Sequence, residues 1–422
     1  MMAATRVAGG EWAPFFVVPL FGAVAVYGTF LLGAKLHSRR AGLVAAMLLA
    51  TSPILLFQLV QPMSDVPALA WWTLALLFAF LPGHAAALAA GAAAGVALLA
   101  RPNLLPLVMP LAWFAAGWPL RQPRRLLPLT MGLAAAGALL AALQWRIYGS
   151  PVASGHGAFS DFFALSNVWP NLAVYSSHLL RGEAATIVLA VVAAAIALTG
   201  RRSPQQIATG RPLLPAVTAA AVFGAAVVLC DLPYVVFRDW FYLRFLLPAF
   251  PLALVGVGGL TAAAASVLPR PARALALLAV LTAAASTNIL VAKREQAFSL
   301  REFEGRYRAA GRYADAALPR EAVILAVQES GSARYYARPI VRWDLLAVDL
   351  DTAVATLTAM HRHPVLLVED WEAADLRKRF PSSRIARLDW PPRTEIGTSI
   401  RVLLFDPADR ESPGRVHTDR FR

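Results

Sequence analysis

Gln58–Trp72, QLVQPMSDVPALAWW, closes one long apolar segment and opens the next. Between the two sits Asp65, preceded by Ser64 and flanked by Pro62 and Pro67. Placing an ionisable group at membrane depth is costly, so a carboxylate at the junction of two membrane-length segments needs a reason. The surrounding chain decides whether these segments are membrane spans.

Composition says that they are. Of 422 residues, 58% are hydrophobic and only 15% are charged. A soluble domain carries roughly 25% charged residues, so this is an integral membrane protein whose first partner is the lipid bilayer. The single cysteine, Cys230, excludes an internal disulfide framework. The net charge of +14 reflects arginine-rich loops, the usual bias of cytoplasmic connections, and no nucleic-acid partner is expected. No secretory signal peptide is visible at the start of the chain.

A span needs about 20 mainly apolar residues. Spans are predicted near Trp12–Ala34, Ala41–Val60, Val66–Leu81, His84–Ala100 and Leu104–Pro119. Others follow near Leu126–Ile147, Ala184–Thr199, Leu213–Leu232, Leu243–Val267 and Ala272–Val291. The fold class is therefore a polytopic α-helical membrane protein of about ten transmembrane helices. The third and fourth spans, joined by Leu81-Pro82-Gly83, form a tight hairpin. The clusters Lys35/Arg39/Arg40, Arg121/Arg124/Arg125, Arg201/Arg202/Arg211 and Arg270/Arg273 fall in every second connection, which places them in the cytoplasm. The alternate connections then face outward, as does everything after the last span. The N-terminus also lies outside, so either its short tail is translocated or an earlier span is missing.

From about Gln296 the composition becomes that of a soluble domain. The chain divides into a membrane domain, residues 1–292, and a small C-terminal α/β extracytoplasmic domain, residues 293–422. In the latter a helix at Arg301–Leu318 leads into strands and helices that alternate, predicting a largely parallel sheet. Strands are expected at Ala322–Val327, Ile340–Trp343, Val365–Val368, Arg384–Leu388 and Ile400–Phe405. It has no glycine-rich phosphate loop, so the chemistry is expected in the membrane domain.

The candidate residues lie in the outward connections. Asp65 stands at the end of the second span, Arg101 at the end of the fourth in LLARPNLLP, and Arg238 and Arg244 around the start of the ninth. His156 sits on the long connection Tyr148–Glu183, where Phe159–Leu165 and Leu172–Leu180 are expected as short interfacial helices. Arg101 and Arg244 break the charge rule on their side of the membrane. Guanidinium groups beside a carboxylate suit a lipid-linked phosphate, which arginine grips bidentately. The carboxylate can take a proton from an acceptor hydroxyl, stabilise positive charge on a sugar ring, or hold a divalent metal. Blander readings stay open: Asp65 caps the helix that follows it, both arginines reach out to headgroups, and His156 is an ordinary loop residue. No His/Cys/Asp cluster has metal-ligand spacing, and no cofactor is called for.

GAVAVYGTFLLGAKL (22–36), AGLVAAMLLATSPILLFQLVQPMSDVPALAWWTLAL (41–76), GVALLARPNLLPLVMPL (95–111) and YLRFLLPAFPLAL (242–254) together resemble membrane glycosyltransferases of the GT-C superfamily. The likeness is to the bacterial branch related to protein mannosyltransferases and the lipid A aminoarabinose transferase. It implies an inverting hexosyl or pentosyl transferase of the bacterial cytoplasmic membrane, taking sugar from a polyprenyl-phosphate donor for an acceptor on the outer face. Asp65 matches a family position for an active-site carboxylate; Arg101 and Arg244 match positions near the donor phosphate. The family has an earlier span and a first outer loop bearing its principal acid, and this chain begins at what looks like the second family span. An incomplete N-terminus or an inactive relative is therefore expected. The alternatives are a transporter or flippase of a lipid-linked or anionic substrate, and a non-catalytic membrane scaffold.

Overall fold

The computed structural model describes residues 2–10, 12–117, 121–151, 162–199, 214–336, 338–397, 400–411, 414 and 416–421. It is mostly helical, with several apolar helices and one small sheet near the C-terminus, and it divides into two compact units, Met1–Ala297 and Phe298–Arg422. The first unit is that of a membrane protein. Among the described residues, four helices are long and apolar enough to cross a bilayer, or six if each of two bent helix pairs is one span.

The first unit runs α1 (Met2–Gly9), α2 (Pro14–Leu36), α3 (Arg39–Thr51), α4 (Pro53–Leu59), α5 (Asp65–Ala79) and α6 (His84–Ala100). It continues with α7 (Val108–Ala116), α8 (Leu126–Tyr148), α9 (Val168–Gly182), α10 (Ala184–Thr199), α11 (Leu214–Asp231), α12 (Phe250–Ala265) and α13 (Arg270–Arg294). Alanine and leucine favour the helix, and lipid requires every backbone group to be paired within it. Proline marks the starts: it occupies the first turn of α2, α4, α12 and α13, where its missing N–H costs nothing.

Proline also explains why the expected span Ala41–Val60 is two helices. Pro53 cannot donate to the preceding turn and drives Ser52 out of the helical region (ψ 125°), so α3 and α4 meet at 58°. A second pair, Leu165–Gly182 and Ala184–Thr199, bends by 84° at Glu183. The two bends are joined: Ser52 Oγ donates to Glu183 Oε1 at 2.6 Å, and Thr186 Oγ1 donates to Oε2 at 3.3 Å. The expected interfacial helix Leu172–Leu180 is the middle of α9. The other, Phe159–Leu165, lies partly outside the described residues; within them Phe163 forms a β-bridge with Tyr234 instead.

Helix α5 is central, with most of its side chains buried. Trp72 is wholly buried and packs against Phe223 with ring centroids 6.0 Å apart. The α5–α6 hairpin turns at Gly83, whose φ of 92° suits only glycine. Helices α6 and α8 touch backbone to backbone, for a Cβ at Gly91 would strike the Leu129 carbonyl and one at Gly132 the Leu88 carbonyl.

The second unit contains α14 (Leu300–Ala317), α15 (Ser330–Tyr335), α16 (Leu350–Ala359) and α17 (Glu372–Arg379) around six strands. These are β1 (Ala322–Leu325), β2 (Ile340–Val341), β3 (His363–Glu369), β4 (Thr394–Ile396), β5 (Val402–Phe405) and β6 (Asp419–Phe421), in the order β2-β1-β3-β5-β4-β6. Pairs β1–β2, β1–β3 and β4–β6 are parallel, whereas β5 runs antiparallel to both β3 and β4, so the sheet is mixed. The strand expected at Arg384–Leu388 is a turn. The Asp351 carboxylate accepts from the Arg384 and Ile385 N–H groups and from Ser383 Oγ, and Leu388 ends the turn in the left-handed region at φ 51°. Behind β1, Glu329 is fully buried; Oε2 accepts from Ser332 Oγ at 2.8 Å while Oε1 has no partner. Burial pushes its carboxyl up to about 7.

Candidate functional site

Three of the five candidate side chains meet. The helix begins at Asp65 itself, and Ser64 makes no side-chain cap. The carboxylate of Asp65, 6% exposed, turns to two arginines. Arg101 Nη1 donates to Asp65 Oδ1 at 2.6 Å, and Arg244 Nε lies 3.8 Å from Oδ2. The arginine side chains are 11% and 13% exposed, so both turn inward onto the carboxylate and neither reaches out to headgroups. Arg101 is placed by the end of α6, and Arg244 by the 3₁₀ stretch Trp240–Ala249 that leads into α12.

Aromatic rings hold both guanidinium groups. Phe245 lies under both, 4.9 Å from Arg101 and 5.3 Å from Arg244, and Tyr242 packs against Arg244 at 4.7 Å. Phe237 stacks on Tyr242 at 4.1 Å, and Tyr234 meets Phe245 edge-on at 5.5 Å. The segment carrying these rings is pinned by α9. Asn171 Nδ2 donates to the carbonyls of Leu232 and Tyr234 at 2.9 and 2.6 Å, and His178 Nε2 lies 3.0 Å from the Arg238 carbonyl.

Asp65 does not engage the two arginines alike. One carboxylate faces two guanidinium groups, and Arg101 alone takes the short hydrogen bond. Arg244 is left with a buried Nε that has no hydrogen-bond partner and an Nη1 whose contact is the weak acceptor Met63 Sδ, at 3.2 Å. Its donors are used less fully than those of Arg101. Arg238 is exposed and is not drawn into this group: its side chain makes no hydrogen bond or ion pair among the described residues. His156 lies outside the described residues.

A further acid escaped the sequence reading. Asp231 ends α11, is 1% exposed, and interacts electrostatically with both Arg101 and Asp65. Its Oδ1 receives a long hydrogen bond from Asn103 Nδ2, 3.4 Å, and its Oδ2 has no partner. Buried Tyr175 of α9 shares the field of Asp231 and Arg101. The signal that could have found Asp231 was the one that found Asp65, a carboxylate at the very end of an apolar helix. Among the described residues, no group of three or more His, Cys, Asp or Glu side chains is arranged to hold a metal ion.

Two arginines and two buried carboxylates thus meet at the ends of apolar helices. Residues 2–148 match the family model of dolichyl-phosphate-mannose-protein mannosyltransferases. Comparison with curated proteins finds no significant match. Among solved structures, the chain is similar to ArnT from Cupriavidus metallidurans in the apo state, with 14% identity, a TM-score of 0.56, and 96% of this chain covering 86% of that one. It is likewise similar to the same protein bound to undecaprenyl phosphate, at 12% identity and a TM-score of 0.57, with the same 96% and 86% coverage. The chain has the fold of ArnT, and its resemblance to GT-C membrane glycosyltransferases holds.

Proposed function

We propose that the protein is a glycosyltransferase that moves a sugar from a polyprenyl-phosphate donor to an acceptor on the outer face of the membrane. The observation that carries this reading is the unequal use of the two arginines. Arg101 is committed to Asp65, while Arg244 keeps free donors in a site sheltered from water. In such surroundings a guanidinium stabilises developing phosphate charge strongly. A solved structure of the same fold, ArnT, is bound to undecaprenyl phosphate, which supports a polyprenyl lipid as the ligand here.

In this reading an acceptor hydroxyl attacks the anomeric carbon as the carbon–oxygen bond to phosphate breaks. The leaving phosphate takes the bonding electrons, and Arg244, with Arg101 behind it, meets that charge. Asp65 is the active-site acid that orients both arginines. The hydroxyl proton goes to a carboxylate, and Asp231 Oδ2 is the oxygen without a partner. The four long helices, the two bent pairs and the shorter apolar helices Asp65–Ala79, His84–Ala100, Pro102–Ala116 and Pro215–Asp231 support about ten spans. With the basic clusters in the cytoplasm, the site and the C-terminal unit face outward across a bacterial cytoplasmic membrane.

One observation favours a second reading, a transporter of lipid-linked or anionic substrate. Two bent helix pairs joined by a buried Ser52–Glu183 hydrogen bond suit the discontinuous helices of transporters. Proteoliposomes loaded with radiolabelled polyprenyl-phosphate sugar separate the two. The transferase reading predicts label on an acceptor and free polyprenyl phosphate; movement of intact donor across the bilayer without transfer would replace it.

A further inference from the structure

At the opposite end of the α5–α6 hairpin from Asp65 and Arg101, an open cavity of about 430 Å³ is lined by Gly83, His84, Arg121, Gln122, Arg124 and Arg125 among others. Among the described residues, no carboxylate lines it. Arg125 is 8% exposed and fastens the α7–α8 connection to the hairpin: Nη2 donates to the Ala79 carbonyl at 3.3 Å and to the Leu81 carbonyl. Its buried Nε has no partner. Arg121 and Arg124 are exposed, and neither makes an ion pair among the described residues. The N-terminus of α6 opens here without a side-chain cap, and its first intrahelical bond is Ala87 N–H to the Gly83 carbonyl. The N–H groups of His84, Ala85 and Ala86 therefore lack intrahelical acceptors, which is the usual provision for an anion.

The helices that run on from the cavity carry exposed apolar side chains within two turns of its lining residues. Leu88 of α6 and Leu127 and Met131 of α8 are 44%, 68% and 60% exposed. Cationic donors above an exposed apolar strip match an amphiphile with an anionic head. A free anion would use the donors and leave the strip bare. We propose that this cavity binds the phosphate of an anionic membrane phospholipid, with its acyl chains along Leu88, Leu127 and Met131. The site is separate from the proposed donor site and stands whether or not that reading holds.

The test is native mass spectrometry of the full chain in neutral detergent, titrated with phosphatidylglycerol, with phosphatidylcholine, and with inorganic phosphate. Arg125 is left intact because its bonds to Ala79 and Leu81 hold the hairpin. The variant Arg121→Gln/Arg124→Gln is compared with Arg39→Gln/Arg40→Gln, a basic pair that does not line the cavity. Each basic residue near a headgroup contributes enough that the first variant should bind phosphatidylglycerol roughly 10- to 30-fold more weakly. The second should stay within about twofold of wild type, and phosphatidylcholine and inorganic phosphate should bind weakly to all three proteins. Equal losses in both variants, no loss in the first, or inorganic phosphate binding as tightly as phosphatidylglycerol would each overturn the proposal.

Discussion

Asp65 sits in a nearly dry site with Arg101 2.6 Å away, at the N-terminus of α5, whose dipole favours a carboxylate. Removing one partner of a buried pair leaves the other uncompensated, at a cost of about 3–5 kcal/mol. Arg101→Ala is therefore expected to lower the melting temperature of the solubilised protein markedly. Arg244→Gln, which breaks no short bond to Asp65, should leave it nearly unchanged; equal effects would mean that the arginines are interchangeable. The sequence exposed Asp65, Arg101 and Arg244 because each breaks a rule of charge placement. Asp231 carries the same signal as Asp65, a carboxylate at the end of an apolar helix, but only the fold brings Arg101 beside it. In the C-terminal unit, Glu329 carries a different prediction. Its folded pKa of about 7 stands above the usual carboxyl value, so the native state holds the proton more tightly. Stability from this group is present below about pH 4.5 and falls by up to about 3 kcal/mol as the pH rises through 7. Glu329→Gln should remove that fall, read as hydrogen exchange in β1 and β3 between pH 5 and 8; an unchanged pH profile would exclude Glu329 as its source.

At the scale of elements, contact distance decides more than hydrophobicity. Gly91 and Gly132 let α6 and α8 approach until carbonyls occupy the space of a Cβ. Gly91→Val should force the helices apart and cost about 1–3 kcal/mol or more, seen as a lower melting temperature. Gly137→Val on α8, where a Cβ meets open space, is the control and should cost much less. Helix positions were legible because lipid enforces continuous apolar segments, and the hairpin was legible in Leu81-Pro82-Gly83. The bend at Ser52 was written in Pro53 but masked by apolar residues on both sides. The bend at Glu183 depends on a hydroxyl 131 positions away, which no local pattern discloses. The turn at 384–388 was misread for the same reason, because the carboxylate that shapes it belongs to α16.

For the molecule as a whole, the basic clusters in every second connection predicted that Asp65, Arg101 and Arg244 lie on one side, and these three side chains do meet. The ArnT-like fold over 96% of the chain agrees with the helical membrane architecture and the small terminal sheet. The mixed order of that sheet was not legible, since β5 pairs with β3 through contacts distant in sequence. The proposed function rests on Asp65 and its arginines forming a sugar-transfer site fed by a lipid phosphate. Its most direct test is the initial rate of transfer from radiolabelled polyprenyl-phosphate sugar by wild type and by Asp65→Ala in the same membranes. A loss of at least 100-fold is predicted, on the scale of a positioned acid–base or electrostatic group. An Asp65→Ala protein that transfers sugar at the wild-type rate would contradict the claim.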